Sequence, residues 1–229
     1  MKNPDWLTSV RHDTYHEVRE EMLRTQIERR GIKDERVLRA MSSVPRHEFV
    51  PAGSRDVAYA DEPLAIGGGQ TVSQPYIVAV MTQAVGLSGE ERVLEIGTGC
   101  GYQAAVLSLL SRDVYSVECR EELARSAAER LKRLGYQNVH VHCGDGSLGL
   151  KEFAPYDAVM VTAAAPSLPN PLLEQLKDGG RLIAPVGTEE HQQLVLVTRR
   201  GGGYVTQQME PCRFVPLLGR YGWKDWESL

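Results

Sequence analysis

One segment constrains the fold more than any other. In Val93-Leu94-Glu95-Ile96-Gly97-Thr98-Gly99-Cys100-Gly101-Tyr102, a strand runs straight into glycines at three alternate positions, and a helix follows from about Gln103. Glycine at such positions lets the backbone turn sharply and lets a ligand approach without side-chain interference. From Glu91 onward, short apolar strands alternate with amphipathic helices, as in a parallel sheet covered on both faces. The expected strands are Arg92 to Ile96, Asp113 to Cys119, Asn138 to Cys143, Tyr156 to Ala163, Gly180 to Val186 and Gln193 to Thr198. A last extended run lies near Cys212 to Leu217. Between the second and third strands, Leu123, Ala127, Leu131 and Leu134 recur at helical spacing, and Gly135 closes that helix. Gly201-Gly202-Gly203 joins two strand-like runs with no helix between, so the sheet should end in an antiparallel pair.

The N-terminal third reads differently, as helices and irregular connection without strands. A charged helix over Thr14 to Arg30 should stop at Gly31, and a second, capped by Asp34 and carrying Val37, Leu38 and Met41, should end before Pro45. Arg46 to Leu64 is rich in Pro, Gly and Asp and reads as connection. After Ile66 to Pro75 comes a helix with Ile77, Met81 and Val85 on one face, stopped by Gly86. The fold class is therefore α/β: a Rossmann-like, doubly wound, mostly parallel sheet of about seven strands with an N-terminal helical extension. The parts are residues 1–75, the extension, and 76–229, the nucleotide-binding core, integrated in one domain. We expect the N-terminal helices to fold over the sheet and help cover the bound cofactor.

Composition narrows the function. The formal net charge of -4 gives no basic footprint for nucleic acid or an anionic membrane surface. No apolar stretch has signal-peptide or membrane-spanning length, so a cytoplasmic protein is expected. Cys100, Cys119, Cys143 and Cys212 are widely separated with no CxxC, so free, buried thiols are expected rather than disulfides or a zinc site. His12 and His16, and His140 and His142, lack partners at metal-ligand spacing, and no metal is assigned.

The glycines of the loop follow GxGxG; position 102 is Tyr, so the spacing that seats a pyrophosphate on a helix N-terminus is absent. This weakens a nicotinamide-dependent oxidoreductase and favours a cofactor without phosphate. Glu118, about 20 residues beyond the loop, can accept hydrogen bonds from both ribose hydroxyls. Gly144-Asp145-Gly146 ends the third strand and offers a carboxylate suited to an adenine amino group. Three successive strand ends thus converge on one adenosine, although each carboxylate alone is more often a solvated strand end or a helix cap.

With its preceding acidic residue Glu95, the loop Gly97-Thr98-Gly99-Cys100-Gly101-Tyr102 resembles the first motif of class I S-adenosylmethionine-dependent methyltransferases. More specific segments surround it: Val44-Pro45-Arg46, Phe49-Val50-Pro51, Ala58-Tyr59, Gly69 to Pro75, Gly101 to Leu107, Val161 to Ala165 and Arg213 to Leu217. Together, from about Met22 to Gly219, they resemble the protein-L-isoaspartate O-methyltransferase family. Cys100 stands where the bacterial family commonly has Ser, Val72 where Ile is usual, and Ala65 where Pro is usual.

The resemblance implies transfer of a methyl group from S-adenosylmethionine, leaving S-adenosylhomocysteine, to the free α-carboxylate of an L-isoaspartyl residue. The ester then closes to a succinimide that can reopen to aspartate, a repair. It implies cofactor contacts from Gln70, Thr71, Val72, Glu95, Gly97, Thr98, Gly99, Cys100, Gly101, Tyr102, Gln103, Glu118, Asp145 and Gly146. It further implies substrate contacts from Ile66, Ala163, Ala164 and Val215, and an essential serine at Ser73. A monomer acting on isoaspartyl proteins and peptides, without nucleic-acid or membrane partners, is expected. The residues agree with such chemistry, because a carboxylate is already ionised at neutral pH and needs no general base. No Ser-His-Asp pattern or GxSxG elbow is present. Read from the residues alone, Ser73 before Gln74-Pro75 suits a helix N-cap as well as a substrate contact. A small-molecule methyltransferase of the same fold and a non-catalytic S-adenosylmethionine sensor are the remaining alternatives.

Overall fold

The computed structural model describes residues 14–223. Met1 to Asp13, including His12 of the His12/His16 pair, lie outside the described residues. Helix α1, His16–Met22, continues through a π-helical turn at Leu23–Ile27 and a 3-10 turn at Glu28–Arg30. It ends at Gly31, which takes φ 98°. Helix α2 is Glu35–Ser43, and the Asp34 side chain accepts from the Arg36 N–H as its cap.

A small hairpin then interrupts the connection. Strands β1, Leu64–Gly67, and β2, Gln70–Val72, pair antiparallel across Gly68 and Gly69, whose φ values of 57° and 71° suit a two-residue turn. The expectation of a strand-free N-terminal third is corrected by this hairpin. Helix α3, Pro75–Val85, stops at Gly86 in the left-handed region, but it is buried nearly all round and Ile77 is only half-buried.

The main sheet and its helices follow as β3 Arg92–Ile96, α4 Tyr102–Ser108, β4 Asp113–Glu118, α5 Glu121–Arg133, β5 Val139–Cys143 and β6 Tyr156–Val161. Helix α6 Asn170–Glu174, β7 Leu176–Gly187, β8 Gln192–Arg200 and β9 Gly203–Cys212 complete it. The strand order is β5-β4-β3-β6-β7-β8-β9. Pairs from β5 to β7 are parallel, whereas β7·β8 and β8·β9 are antiparallel. The last strand is Gly203–Cys212 and not the run Cys212 to Leu217, which contributes only a bridge from Pro216 to Ala164. The chain winds outward from β3 to β5 and returns to place β6 on the other side of β3. That reversal opens a crevice at the carboxyl ends of β3 and β6.

Strand periodicity explains the double-sided core. Val93 packs in one buried cluster with Val114, Met160 and Ile183, while Leu94 and Ile96 pack in the other with Val117, Val159 and Leu182. The first cluster also takes in Met22, Ile27, Val37, Met41 and Phe49, so the N-terminal helices share the sheet's core. They pack against α3 and α4, and among the described residues none before Gln70 lines the crevice. Gln70 to Ser73, at the end of the hairpin and just beyond it, line the crevice. No helix among the described residues is long and apolar enough to cross a membrane.

Candidate active site

Each glycine of the loop after β3 adopts the left-handed region, with φ of 97°, 54° and 89° at Gly97, Gly99 and Gly101. Space is equally restrictive. A Cβ at Gly97 would lie 2.5 Å from Thr162 Oγ1, and one at Gly101 would lie 3.1 Å from Leu131 on α5. The loop's shape is fixed from both sides. Gly97 N–H donates to Val117 O at 2.8 Å, Gly101 N–H to Thr98 O at 2.8 Å, and Arg130 Nη1 to Cys100 O at 2.9 Å.

Two carboxylates stand beneath it. Glu118, at the end of β4, accepts from Gly99 N–H at 2.8 Å through Oε2 and from Arg120 N–H at 3.1 Å and Cys119 Sγ at 3.5 Å through Oε1, which leaves Oε2 a further acceptor position. Glu95 is 0 % exposed. It accepts from the Ser116 hydroxyl, which in turn meets Thr98 Oγ1 at 2.6 Å. Burial pushes Glu95 up to about 8, with the Ser116 bond opposing and Glu118 adding to the rise.

A cleft with about 780 Å³ of open space, counted to its mouth, lies over the loop. Among the predicted residues, Gln70, Thr71, Val72, Ser73, Gly97, Thr98, Gly99, Cys100, Tyr102, Gln103, Glu118, Gly146, Ala163 and Val215 line it. Among the described residues no Lys, Arg or His does, so its lining suits an uncharged nucleoside or a sulphonium cation. Ile66, Glu95, Gly101, Asp145 and Ala164 stand outside the lining. Glu95 and Gly101 support the loop from behind. Ile66 lines a separate hollow beside the start of α5. Asp145 accepts from Ser147 N–H and Oγ through one oxygen and from Arg220 N–H at 2.8 Å through the other. Ala164 is buried, and its N–H and C=O are taken by Val215 O and by Leu217 N–H and Trp223 Nε1.

A second hollow of about 750 Å³ opens on the other side of Ser73. It shares Thr71, Ser73, Thr162 and Val215 with the cleft, so these four residues form a common wall between two spaces. Ser73 is not a cap: Gln74 holds the N-cap position of α3 without a side-chain bond, and the Ser73 hydroxyl has no hydrogen-bond partner among the described residues. The first-turn N–H groups of Tyr76 and Ile77 likewise take no acceptor there.

Sequence reasoning passed over Thr162, whose hydroxyl donates to Ile96 O at 3.0 Å and Gly97 O at 2.7 Å. It also missed Leu218, which lines the cleft with Leu217, and left residues after Gly219 without a role, yet Tyr221 N–H donates to Ser147 Oγ at 3.0 Å. The four cysteines are free as expected, but only Cys100 is buried and Cys143 is exposed.

A mostly parallel sheet with a glycine loop after β3, a carboxylate at the end of β4 and a cleft at its switch point is the arrangement of the S-adenosylmethionine-dependent methyltransferases of the open α/β class. Residues 17–222 match the model of the family described as protein-L-isoaspartate(D-aspartate) O-methyltransferase, and the chain belongs to that family. A protein-L-isoaspartate O-methyltransferase 2 of Pelobacter propionicus is 55% identical over 217 residues, covering 94% of this chain and 96% of the relative. A protein-L-isoaspartate O-methyltransferase of Dictyoglomus turgidum is 53% identical over 195 residues, 85% of this chain and 89% of its own. A solved protein-L-isoaspartate O-methyltransferase superposes with a TM-score of 0.80 at 33% identity, over 89% of this chain and 67% of that one.

Proposed function

We propose that the chain transfers the methyl group of S-adenosylmethionine to the free α-carboxylate of L-isoaspartyl residues in damaged proteins and peptides. The observation that carries this reading is the wall shared by the cofactor cleft and the second hollow. It lets two ligands meet end to end without exposing the reacting atoms to bulk water.

S-adenosylmethionine, when bound, supplies a methyl carbon on a positively charged sulphur. Glu118 accepts from the ribose through the Oε2 position that Gly99 leaves open. The glycine loop brings backbone close to the ligand. Ser73 donates its unclaimed hydroxyl to the substrate carboxylate, and the open N-terminus of α3 adds a favourable dipole for an anion. A carboxylate oxygen then forms the new bond to the methyl carbon while the carbon–sulphur bond breaks, and its electron pair stays on sulphur. No proton moves, which fits a wall without histidine or a free carboxylate. Opposite charges are neutralised in the step, so water exclusion and alignment supply the acceleration, alignment alone being worth about 7 kcal/mol or more.

The second hollow, walled by Pro211 to Val215, accommodates the peptide. Four unpaired cysteines support a reducing, cytoplasmic location. The test supplies a labelled methyl donor with paired peptides that carry isoaspartate or ordinary aspartate at one position. Base-labile label on the isoaspartyl member only is expected; equal label on both, or none, defeats the reading.

A further inference from the structure

Arg46 is the largest side chain buried below 2 % exposure, and it is 0 % exposed. Among the described residues it forms no ion pair with a carboxylate. Its Nε donates to Ala58 O at 2.7 Å and its Nη2 to Ser73 O at 2.7 Å. The guanidinium carbon lies 4.7 Å from the centre of the Tyr102 ring, and Nη1 is buried without an acceptor. Burying an unpaired cation is costly by several kcal/mol, and a well-packed apolar side chain would often serve packing better. Its placement has to be explained by what it connects.

Three segments meet on it. Ala58 belongs to the connection after α2, Ser73 to the common wall, and Tyr102 is the first residue of α4, directly after the glycine loop. The hairpin that leads directly into Ser73 is a two-stranded sheet of its own, with an irregular register between Ala65 and Gly67. Such a pair is marginal without outside support. We infer that Arg46 is a positioning residue: its planar fork fixes the Ser73 backbone relative to the glycine loop, and so sets the distance between substrate carboxylate and cofactor methyl. Arg46 itself lines neither the cleft nor the second hollow, so it acts through Ser73 and not on the substrate. Lysine cannot replace it, since one ammonium lacks the fork that spans two carbonyls while stacking on a ring.

This inference rests on the methyl-transfer reading. Its test compares wild type with Arg46→Lys and Arg46→Met, measuring kcat and KM on one isoaspartyl peptide, S-adenosylhomocysteine affinity by calorimetry, and folding by circular dichroism. A misplacement of about 1 Å costs on the order of 100-fold in rate. The expected result is a fall in kcat of roughly ten- to 100-fold in a folded variant, with S-adenosylhomocysteine affinity kept within about threefold. A folded variant with undiminished kcat overturns the proposal. So does a parallel loss of kcat and cofactor affinity, which marks a purely structural residue, and so does the failure of both variants to fold. Absence of transfer by the wild-type enzyme itself would defeat the functional reading instead.

Discussion

Replacing Glu95 by glutamine should change how the protein's stability depends on pH, in a direction fixed by the structure. Glu95 sits fully buried behind the glycine loop, with one oxygen bonded by Ser116 and the other unpartnered. Burial holds it at about 8, whereas an unfolded glutamate titrates near ~4.3. The folded chain therefore keeps a proton that the unfolded chain releases across this window. Stability from the residue is fully present below about pH 4.3 and is lost as pH rises toward the folded value. Each unit corresponds to ~1.4 kcal/mol, so the whole window amounts to a loss on the order of 4 to 5 kcal/mol. Glutamine does not titrate. Its amide adds a fixed, pH-independent cost beside Ser116, so the slope and not the offset is the informative quantity. Urea unfolding of wild type and Glu95→Gln at about pH 5, 6.5 and 8 measures it. The difference should move in favour of the variant by a few kcal/mol from the lowest to the highest pH. A difference that stays constant refutes the assignment of a proton to buried Glu95.

Three further outcomes follow from the site. Glu118→Ala removes the acceptor for Gly99 N–H and the one proposed for the ribose; losing about 2 kcal/mol should weaken S-adenosylhomocysteine about 30-fold in calorimetry, and unchanged affinity removes Glu118 from the cofactor site. Ser73→Ala should lower turnover by about tenfold or more with cofactor affinity unchanged, because the hydroxyl is needed only where the carboxylate is aligned; equal turnover excludes it. Gly97→Ala forces a side chain into φ 97° and against Thr162 Oγ1, so thermal unfolding should show a loss of at least ~2 kcal/mol, and a wild-type melting curve would show that the loop can yield.

The strands around the cofactor cleft were legible because both faces of the sheet are buried. Val93 and Leu94 face different clusters yet both must be apolar, which leaves a continuous run in the sequence. Capping chemistry was legible for the same reason of necessity: Gly31, Asp34 and Gly86 each do what only a few residue types can do at a helix end. The last strand was not, since β9 is an edge strand whose first six residues are exposed, so its Tyr204 to Gln208 stretch carries no burial pattern. The β1–β2 hairpin was hidden by brevity. Its Gly68-Gly69 turn was a usable signal, but three or four residues on either side are too few to show alternation.

At the site, Gly97, Gly99, Gly101 and Glu118 could be read because spacing along one chain segment encodes their geometry. Thr162 and the Leu217 and Leu218 lining arise from distant segments brought together by the fold. Asp145 shows the converse: a carboxylate at a strand end is ambiguous until its partners are seen, and here those are Ser147 and Arg220. Arg46 gives the sharpest case, since nothing in a charged residue after a proline announces complete burial.

The central claim is that a carboxylate already ionised in water is brought against the cofactor's methyl group at the wall formed by Thr71, Ser73, Thr162 and Val215. A crystal structure with S-adenosylhomocysteine and an isoaspartyl peptide tests it directly. The account predicts the sulphur over the glycine loop and the free carboxylate at Ser73, with room for a methyl carbon within about 3.5 Å of an attacking oxygen. A peptide carboxylate lodged elsewhere, as in the hollow beside α5, would contradict it.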